Sequence, residues 1–317
     1  MKPRLLVFTA MLLSGSPLLD PGASNGPRSA AVTAVVSRTP WGDPDLQGVW
    51  SGLESIGVPF DRDSALGTRD LLTEEEFQAR QAALRVGASG DNIEATNFGR
   101  GGAEGEVLRN ESRQASLVVD PRDGRRPPRT AESEGRQPTL GSFSAGPFNS
   151  VDDFGVLDRC VAYAPVSAAS PFNTLQIVQA PGYVALRSEV IHEARIVPLD
   201  GRSHVSPGLK MYGGDSRGRW EERTLVVTTT NFNGLTSLQG NAGGRPSERL
   251  TVVERFTLVD SNTLLYEATF DDVETWMRPW TVRFPRKRDV SGAVYEYACH
   301  EGNYGVANIL SGARATE

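Results

Sequence analysis

The chain has 317 residues and a formal net charge of −6, with 23% charged and 38% hydrophobic residues. This balance is typical of a folded globular protein and excludes a largely disordered chain. Surfaces that bind nucleic acids carry clustered Lys and Arg, and the sequence has no long block of them, so we expect no nucleic-acid partner.

The N-terminus has the organisation of a secretory signal sequence. Lys2 and Arg4 supply positive charge, the apolar segment Leu5 to Leu13 follows, and small residues come after it. A segment of this length is too short to span a bilayer as a helix, so we expect export without membrane insertion. We interpret 1–23 as a signal peptide and 24–40 as a flexible leader, and expect a secreted or periplasmic protein.

Residues 41–170 are predicted to form a wrapping arm with loops. Trp41 and Trp50 flank a run of turn residues and are expected to fix the arm to the rest of the protein. Thr73 and Glu76 have the spacing of a capping box and predict one short helix that ends near Gly87.

After residue 170 the sequence becomes a series of strand patterns separated by turn residues. No helix of ordinary length can be placed between them, so we expect antiparallel neighbours. The region 171–317 is therefore predicted to be an antiparallel up-and-down β-barrel of lipocalin-like architecture, giving a mainly β fold in one structural unit, 41–317. The predicted strands are 175–179, 183–191, 194–199, 209–213, 220–231, 250–259, 263–271, 280–284 and 293–299.

Two polar side chains fall within apolar rows of these strands. Alternation places Glu254 on the same face as Val252 and Phe256, and Tyr266 on the same face as Leu264. A buried carboxylate must be paired with an arginine, hydrogen-bonded or neutral. Two interpretations stay open: an ion pair inside the barrel, or a general acid/base that faces a ligand cavity.

The three histidines of the chain, His192, His204 and His300, are candidates for proton transfer. We expect Glu254 and His300 to handle protons together with His192, and Arg195 and Tyr266 to orient the substrate. The same three histidines could instead bind zinc, copper or iron, although their spacing matches no short metal-binding motif.

Aromatic and amide side chains are predicted at the rim of the barrel, where Asn231, Trp280 and Tyr304 would bind a small organic molecule. The alternative for the tryptophan is that it closes the end of the barrel. Two strings match Gly-x-Ser-x-Gly, at 22–26 and 214–218, but neither lies in the strand-turn-helix that a nucleophile elbow requires. No glycine-rich phosphate loop precedes a helix, so we expect neither a serine nucleophile nor a nucleotide cofactor.

Cys160 and Cys299 are the only cysteines. An oxidising compartment favours a disulfide between them, and the alternative is two separately buried thiols.

Several long strings give the sequence a recognisable pattern: WGDPDLQGVW (41–50), IHEARIVPLDGR (191–202), GDSRGRWE (214–221), VERF (253–256), EYACHEGNY (296–304) and NILSGAR (308–314). With these strings the chain resembles a widespread family of exported bacterial proteins without an assigned activity. The family usually has Glu-Gly-Asp-Thr-Leu after the tryptophan of the third string, whereas this chain has Glu222 and Arg223 in place of Gly and Asp. The resemblance implies export and a single unit, and implies no chemistry.

The leading hypothesis is an exported enzyme that uses general acid/base chemistry, of isomerase, lyase or cyclase type, without a cofactor, on a partly apolar organic molecule. Two alternatives stay open. One is a lipocalin-like binding protein without catalysis, and the other is a hydrolase or oxygenase that depends on a histidine-bound metal.

Overall fold

The computed structural model describes residues 37–55, 57–88, 112–136, 148–162, 166, 169, 173–236 and 245–315. The expected signal peptide, 1–23, and the leader up to residue 36 lie outside these residues. Residues 37–40 are described, and they form one side of a short loop in which the backbone N–H of Gly42 donates to Thr39 O and that of Asp45 donates to Ser37 O.

Ten strands and three helices are found in the described residues. The fold is therefore mainly β, as predicted. The strands are β1 (Gly48–Ser51), β2 (Val118–Asp120), β3 (Leu175–Ala180), β4 (Tyr183–Ser188), β5 (Ala194–Pro198), β6 (Asp215–Glu221), β7 (Thr224–Thr230), β8 (Thr251–Asp260), β9 (Thr263–Asp271) and β10 (Trp280–Arg288). The helices are α1 (Glu74–Ala88), α2 (Ala131–Gly135) and α3 (Gly305–Arg314).

The strands form one sheet in the order β5-β4-β3-β1-β10-β9-β8-β7-β6, and β2 pairs separately with β10. Every pair in this order is antiparallel, and β1 joins the first long meander to the last strand. The predicted up-and-down barrel is thus confirmed. The strand that joins its two halves, β1, comes from the segment expected to be arm.

Strands β5 and β6 are the two ends of the sheet order, and they meet along a seam that lacks ladder hydrogen bonds between them. The seam is packed by side chains instead. A Cβ atom placed on Gly218 of β6 would lie 2.6 Å from Leu199 Cδ2 and 2.8 Å from Val197 Cγ1. Glycine is required at this position because the two apolar side chains occupy the space that a larger residue would need.

The interior of the barrel is filled with large side chains. Because alternate residues of a strand point to one side, each strand contributes a buried row to one core. Its largest fully buried members are Trp50, Trp276, Trp280, Tyr266, Phe232, Phe256, Phe270 and Phe284. The rings of Tyr266 and Phe284 lie 5.2 Å apart, and those of Phe256 and Tyr266 lie 5.1 Å apart.

Three local predictions differ from the structure. Residues 209–213 and 293–299 are not strands. The predicted strand 220–231 is interrupted by the turn Glu222-Arg223, which lies between the paired residues Glu221 of β6 and Thr224 of β7. Glu222 has a φ of 52°, so the tight hairpin is kept although glycine is absent there.

The arm is held by α1 and by a buried arginine. The predicted capping box is confirmed, since Glu76 N–H donates to Thr73 Oγ1 at 3.2 Å and Thr73 N–H donates to Glu76 Oε2 at 2.8 Å. Arg62, which is 1% exposed, donates to Asp70 at 2.8 Å and to Arg122 O at 3.0 Å. These bonds fix 62–70 against the loop that follows β2.

Cys160 and Cys299 form a disulfide, which confirms the prediction of their pairing. The bond connects the segment before β3 to the segment after β10. Among the described residues, no helix has both the length and the apolar character needed to cross a membrane.

Candidate functional site

The interior of the barrel contains an ion pair that involves three predicted site residues. Arg195 of β5 donates to Glu254 of β8 from Nη1 to Oε2 at 2.6 Å and from Nη2 to Oε1 at 2.9 Å. The Tyr266 hydroxyl of β9 donates to Glu254 Oε1 at 2.9 Å. Glu254 and Tyr266 are fully buried, and the Arg195 side chain is 9% exposed.

A second guanidinium lies beside this pair. Arg286 of β10 is fully buried and stacks over the rings of Tyr266 and Phe284, at 5.5 and 5.1 Å from their centroids. Its Nη1 donates to the backbone oxygen of Asn173 at 2.8 Å. The interior is therefore a layer of charged and aromatic groups between apolar layers.

The electrostatics of this layer follow from burial and from the carboxylate. Burial, reinforced by the charge of Glu254, raises the pKa of Tyr266 well above its ordinary value. Burial by itself would lower the pKa of Arg195, but the charge and hydrogen bonds of Glu254 outweigh it and raise that pKa. Burial lowers the pKa of Arg286 to about 10. Tyr266 therefore stays protonated and keeps donating to the carboxylate.

This geometry favours a structural role for Glu254. Both carboxylate oxygens bind the guanidinium, and one also accepts from a phenol. The hydrogen-bond partners of Glu254 among the described residues are Arg195 and Tyr266, and His300 is not one of them. The arrangement corresponds to the ion pair that the sequence left open as an alternative to general acid/base catalysis.

The structure does not bring the predicted histidines to Glu254. His300 is exposed in the segment after β10. His192 is also exposed, and its Nδ1 lies 3.3 Å from Tyr297 O. Strand β4 ends at Ser188, and Ile191 and His192 have φ values of 62° and 45°. The extended segment expected through residue 191 therefore turns away from the sheet.

His204 lies in the loop before β6, and its ring contacts the carboxylate of Asp215, the first residue of that strand. Its Nδ1 is 2.8 Å from Asp215 Oδ2, and Arg217 donates to Asp215 Oδ1 at 2.7 Å. All three histidines are described, and the described residues contain no group of three His, Cys, Asp or Glu side chains that could hold a metal ion. The hypothesis of a three-histidine metal site is thus not supported by the geometry.

The three predicted rim residues have different environments. Asn231 has a φ of 61°, and its amide donates to Ser206 O at 2.9 Å and Leu209 O at 3.0 Å, so it holds the loop before β6. Trp280 is 1% exposed and stacks on Phe270 with ring centroids 4.5 Å apart, as expected of a residue that closes the barrel end. Tyr304 is 73% exposed, just before α3. Asn231 and Trp280 are buried whereas Tyr304 is exposed, so the three residues do not share one environment.

A cavity of about 510 Å³ lies on the outer wall of the barrel, beneath the arm. We call it the arm groove. The arm contributes Asp70, Leu71, Ser112, Arg113 and Gln114 to its lining, and β2 contributes Val119 and Asp120. The outer face of β8, β9 and β10 contributes Arg255, Glu267, Thr269, Thr281 and Arg283.

Two cross-strand rows form the floor of the arm groove. In the first row Arg255, Glu267 and Arg283 are direct neighbours on β8, β9 and β10. In the second row Thr269 and Thr281 are neighbours and share a hydrogen bond of 2.8 Å between their hydroxyl groups. The groove is polar, and most of its floor can form hydrogen bonds.

The roof of the arm groove is joined to its floor by an amide. Gln114 donates from Nε2 to Arg283 O at 2.7 Å and to Ser116 O at 2.6 Å. Arg113 donates from Nη2 to Leu72 O at 2.6 Å, which fixes the arm at the start of α1. The cavity therefore depends on the folded arm.

Sequence reasoning missed the groove because its lining comes from separate parts of the chain. The strand alternation that places Glu254 in a buried row also places the residues of the groove floor together, on the outer face. Arg255, Glu267 and Arg283 occupy the opposite face of the same strands. A charged outer row is ordinarily a solvated surface, and only the position of the arm makes it the floor of a cavity.

No family model matches the chain, and neither a curated protein nor a solved structure matches it. The resemblance to exported bacterial proteins remains a prediction from motifs.

Proposed function

We propose that the protein is an exported binding protein that holds a small polar molecule in the arm groove. The observation that carries the proposal is the cavity of about 510 Å³ in which charged, hydroxyl and amide groups from the arm, β2 and the barrel wall converge. Small-molecule sites have volumes of roughly 300–1,000 Å³ and a few converging polar groups. The signal-like N-terminus and the Cys160–Cys299 disulfide support export.

The proposal favours binding over the acid/base enzyme that was the leading hypothesis from the sequence. A general base needs an oxygen or nitrogen free to take a proton from a substrate. Glu254 is fully buried, and its carboxylate is occupied by Arg195 and Tyr266. The groups of the arm groove, in contrast, are close to solvent, as the 48% exposed side chain of Arg283 illustrates.

The test is a search for a ligand combined with a variant that fills the groove. The purified protein is screened by thermal shift against small polar metabolites, and bound compounds are identified by native mass spectrometry. In Thr269→Trp an indole would occupy the floor, so binding is expected to weaken at least tenfold. Thr228→Trp is the matched control, because Thr228 lies on β7 in the same cross-strand row, outside the groove lining.

Two results would contradict binding in the arm groove. One is that Thr269→Trp and Thr228→Trp lower the affinity for the bound compound equally. The other is that no compound binds the wild-type protein. Chromatography of the compound after incubation separates binding from catalysis, since a binding protein returns its ligand unchanged and an enzyme consumes it.

Export is tested separately. The full-length chain is expressed in a bacterial host, and its location and length are measured. We expect the protein outside the cytoplasm and shortened near residue 23. A full-length product confined to the cytoplasm would contradict the export part of the proposal.

Acid/base catalysis is a second candidate, favoured by the His204–Asp215 pair. The carboxylate holds Nδ1 at 2.8 Å and is itself held by Arg217. This arrangement leaves Nε2 as the nitrogen that can exchange a proton with a substrate. His204→Gln would then abolish consumption of the compound found in the screen. Unchanged consumption in this variant would exclude the histidine as its catalyst.

A further inference from the structure

The arm groove contains a carboxylate, that of Asp120, and a guanidinium, that of Arg283, with unused hydrogen-bonding capacity. Arg283 donates from Nε to Glu267 at 2.8 Å, and its two terminal nitrogens form no other hydrogen bond within the described part of the chain. Asp120 lines the same cavity, and its carboxylate has no hydrogen bond or ion pair with the described residues. These groups are available to a ligand.

We propose that the ligand of the arm groove is a zwitterion of amino-acid type, a small molecule with one carboxylate and one ammonium group. This inference rests on the proposed binding function. The ligand carboxylate binds Arg283, whose planar fork of donors matches a carboxylate. The ligand ammonium binds the carboxylate of Asp120.

The spacing of the two groups fits such a molecule. Asp120 is opposite Thr281 in the β2–β10 pair, and Arg283 lies two residues further along β10 on the same face. The two positions are therefore about 7 Å apart along the strand, at 3.3 Å per residue. Two side chains that rise from neighbouring positions of one face and line one cavity can contact opposite ends of the same small molecule.

The charge balance of the groove also favours a zwitterion. A groove of one sign would select a ligand of the opposite sign. The lining here contains three acidic side chains, Asp70, Asp120 and Glu267, and three basic ones, Arg113, Arg255 and Arg283. A neutral molecule with both charges therefore fits better than a polyanion or a polycation.

One hydroxyl of the floor, that of Thr281, is next to both charged positions, since Arg283 lies two residues further along the same strand. Thr281 is the cross-strand partner of Asp120, and Thr269 is adjacent to Thr281 on β9. Hydroxyl groups can both donate and accept, so they can contact either end of the ligand. A molecule held at both ends would cover these hydroxyls.

The test uses titration calorimetry with L-alanine and γ-aminobutyrate as zwitterions. Propionate, which lacks the ammonium group, and ethylamine, which lacks the carboxylate, are the matched probes. We expect at least one zwitterion to bind at least tenfold more tightly than either single-charge probe. The inference would be overturned if propionate or ethylamine bound as tightly as the better zwitterion. It would also be overturned if neither L-alanine nor γ-aminobutyrate gave heat of binding.

Variants assign each charge to its partner. Asp120→Asn is expected to lower the affinity for the zwitterion at least tenfold and to leave the affinity for propionate unchanged. Arg283→Gln is expected to lower the affinity for the zwitterion as much as Asp120→Asn does and to leave the affinity for ethylamine unchanged. Arg249→Gln is the control, because Arg249 pairs with Glu274 and neither residue lines the groove, and it should change affinity less than twofold. Equal losses in the control and in both groove variants would overturn the assignment.

The two proposals can fail separately. Suppose that a compound from the library carries only one charge and loses affinity in Thr269→Trp. In that case the inference of a zwitterion is wrong and the binding function stands. If no compound binds in that manner, both are wrong. Melting temperatures of all variants show whether a loss of affinity reflects the site or the fold.

Discussion

Arg195 binds both carboxylate oxygens of Glu254, although their strands are far apart in the sheet. Strand β5 is the first in the sheet order and β8 the seventh, and the two donor–acceptor distances are 2.6 and 2.9 Å. Because β5 and β6 share no ladder hydrogen bonds, this pair ties the two sides of the seam together. The finding gives the buried carboxylate a role in closing the barrel.

The first prediction concerns this pair. Glu254→Gln leaves the guanidinium of Arg195 in the barrel interior without its counter-charge, and should lower the free energy of unfolding by about 3–5 kcal/mol. Urea denaturation measures the loss. The double variant Arg195→Met/Glu254→Leu should recover most of it, because replacing both charges with apolar side chains removes the cost of burying them.

Glu267→Gln is the matched control, since Glu267 pairs with Arg283 on the outer wall and is 20% exposed. A pair of this kind contributes about 0–1 kcal/mol. A Glu254→Gln variant as stable as this control would show that the buried carboxylate is not structural and would return it to the list of catalytic candidates.

The second prediction concerns pH and Tyr266. Its pKa is raised in the folded protein above the unfolded value of about 10, so the folded state holds this proton more tightly. The resulting stability is fully present below pH 10 and is lost as the pH rises further. Tyr266→Phe removes the phenol that donates to Glu254, and should cost about 1.5–3 kcal/mol at pH 7. The difference in free energy of unfolding between Tyr266→Phe and the wild type should become smaller above pH 10.

Arg286 has the opposite effect on the pH dependence of stability, because its pKa of about 10 in the folded protein lies below its ordinary value. Its contribution to stability therefore rises with pH above 10. The negative charge of an ionised Tyr266 raises the pKa of Arg286, so this gain is smaller in the wild type than in the variant and narrows the difference in stability between them further. Unfolding of each protein at pH 7, 9, 10 and 11 gives the measurement. A constant difference over this range would show that the phenol is not the titrating group.

The third prediction concerns the arm. Arg62 is 1% exposed and binds Asp70, Ser116 and Arg122. Arg62→Met should cost about 1–3 kcal/mol, because the buried hydroxyl of Ser116 loses its donor and the bonds to Asp70 and Arg122 are lost as well. It should also expose 62–72 to protease before the barrel unfolds. Arg69→Met is the control, since the exposed Arg69 pairs only at the surface with Glu76. Similar protease sensitivity in both variants would contradict the role of Arg62.

The fourth prediction concerns the disulfide. Cys160 and Cys299 are separated by 139 positions, and closing a loop of that size contributes about 4–5 kcal/mol in the chain-entropy account. Cys160→Ser/Cys299→Ser should lower the stability of the protein by up to this amount. Dithiothreitol should destabilise the wild type to the same level and leave the double variant unchanged. An effect of the reductant on the double variant would mean that it does not act through this bond.

The sequence was most informative where the determining contacts are local. The capping box of α1 involves residues three apart, and it was predicted correctly from Thr73 and Glu76. The alternation of β8 also placed Glu254 in a buried row without any knowledge of other strands. Both predictions succeeded because helix caps and strand faces are set within a few residues.

Predictions that required a partner from elsewhere in the chain were less successful. Arg195 was identified as a site residue, but its bidentate contact with Glu254 depends on how the barrel closes. His300 was expected directly after a strand, 293–299, that is not among the strands of the structure. Strand β1, only Gly48–Ser51, was missed because its pairing with β3 and β10 is what makes it a strand.

By itself the sequence determined the kind of protein this is: a mainly β chain with a signal-like start, antiparallel strands, a buried carboxylate and two cysteines able to bond. Tertiary structure alone decided that the carboxylate closes a seam and that an outer row of charged residues becomes the floor of a cavity under the arm. The reason is physical. Backbone periodicity is set by neighbouring residues, whereas ion pairs and cavities are made by groups that only the closed barrel and its arm bring together.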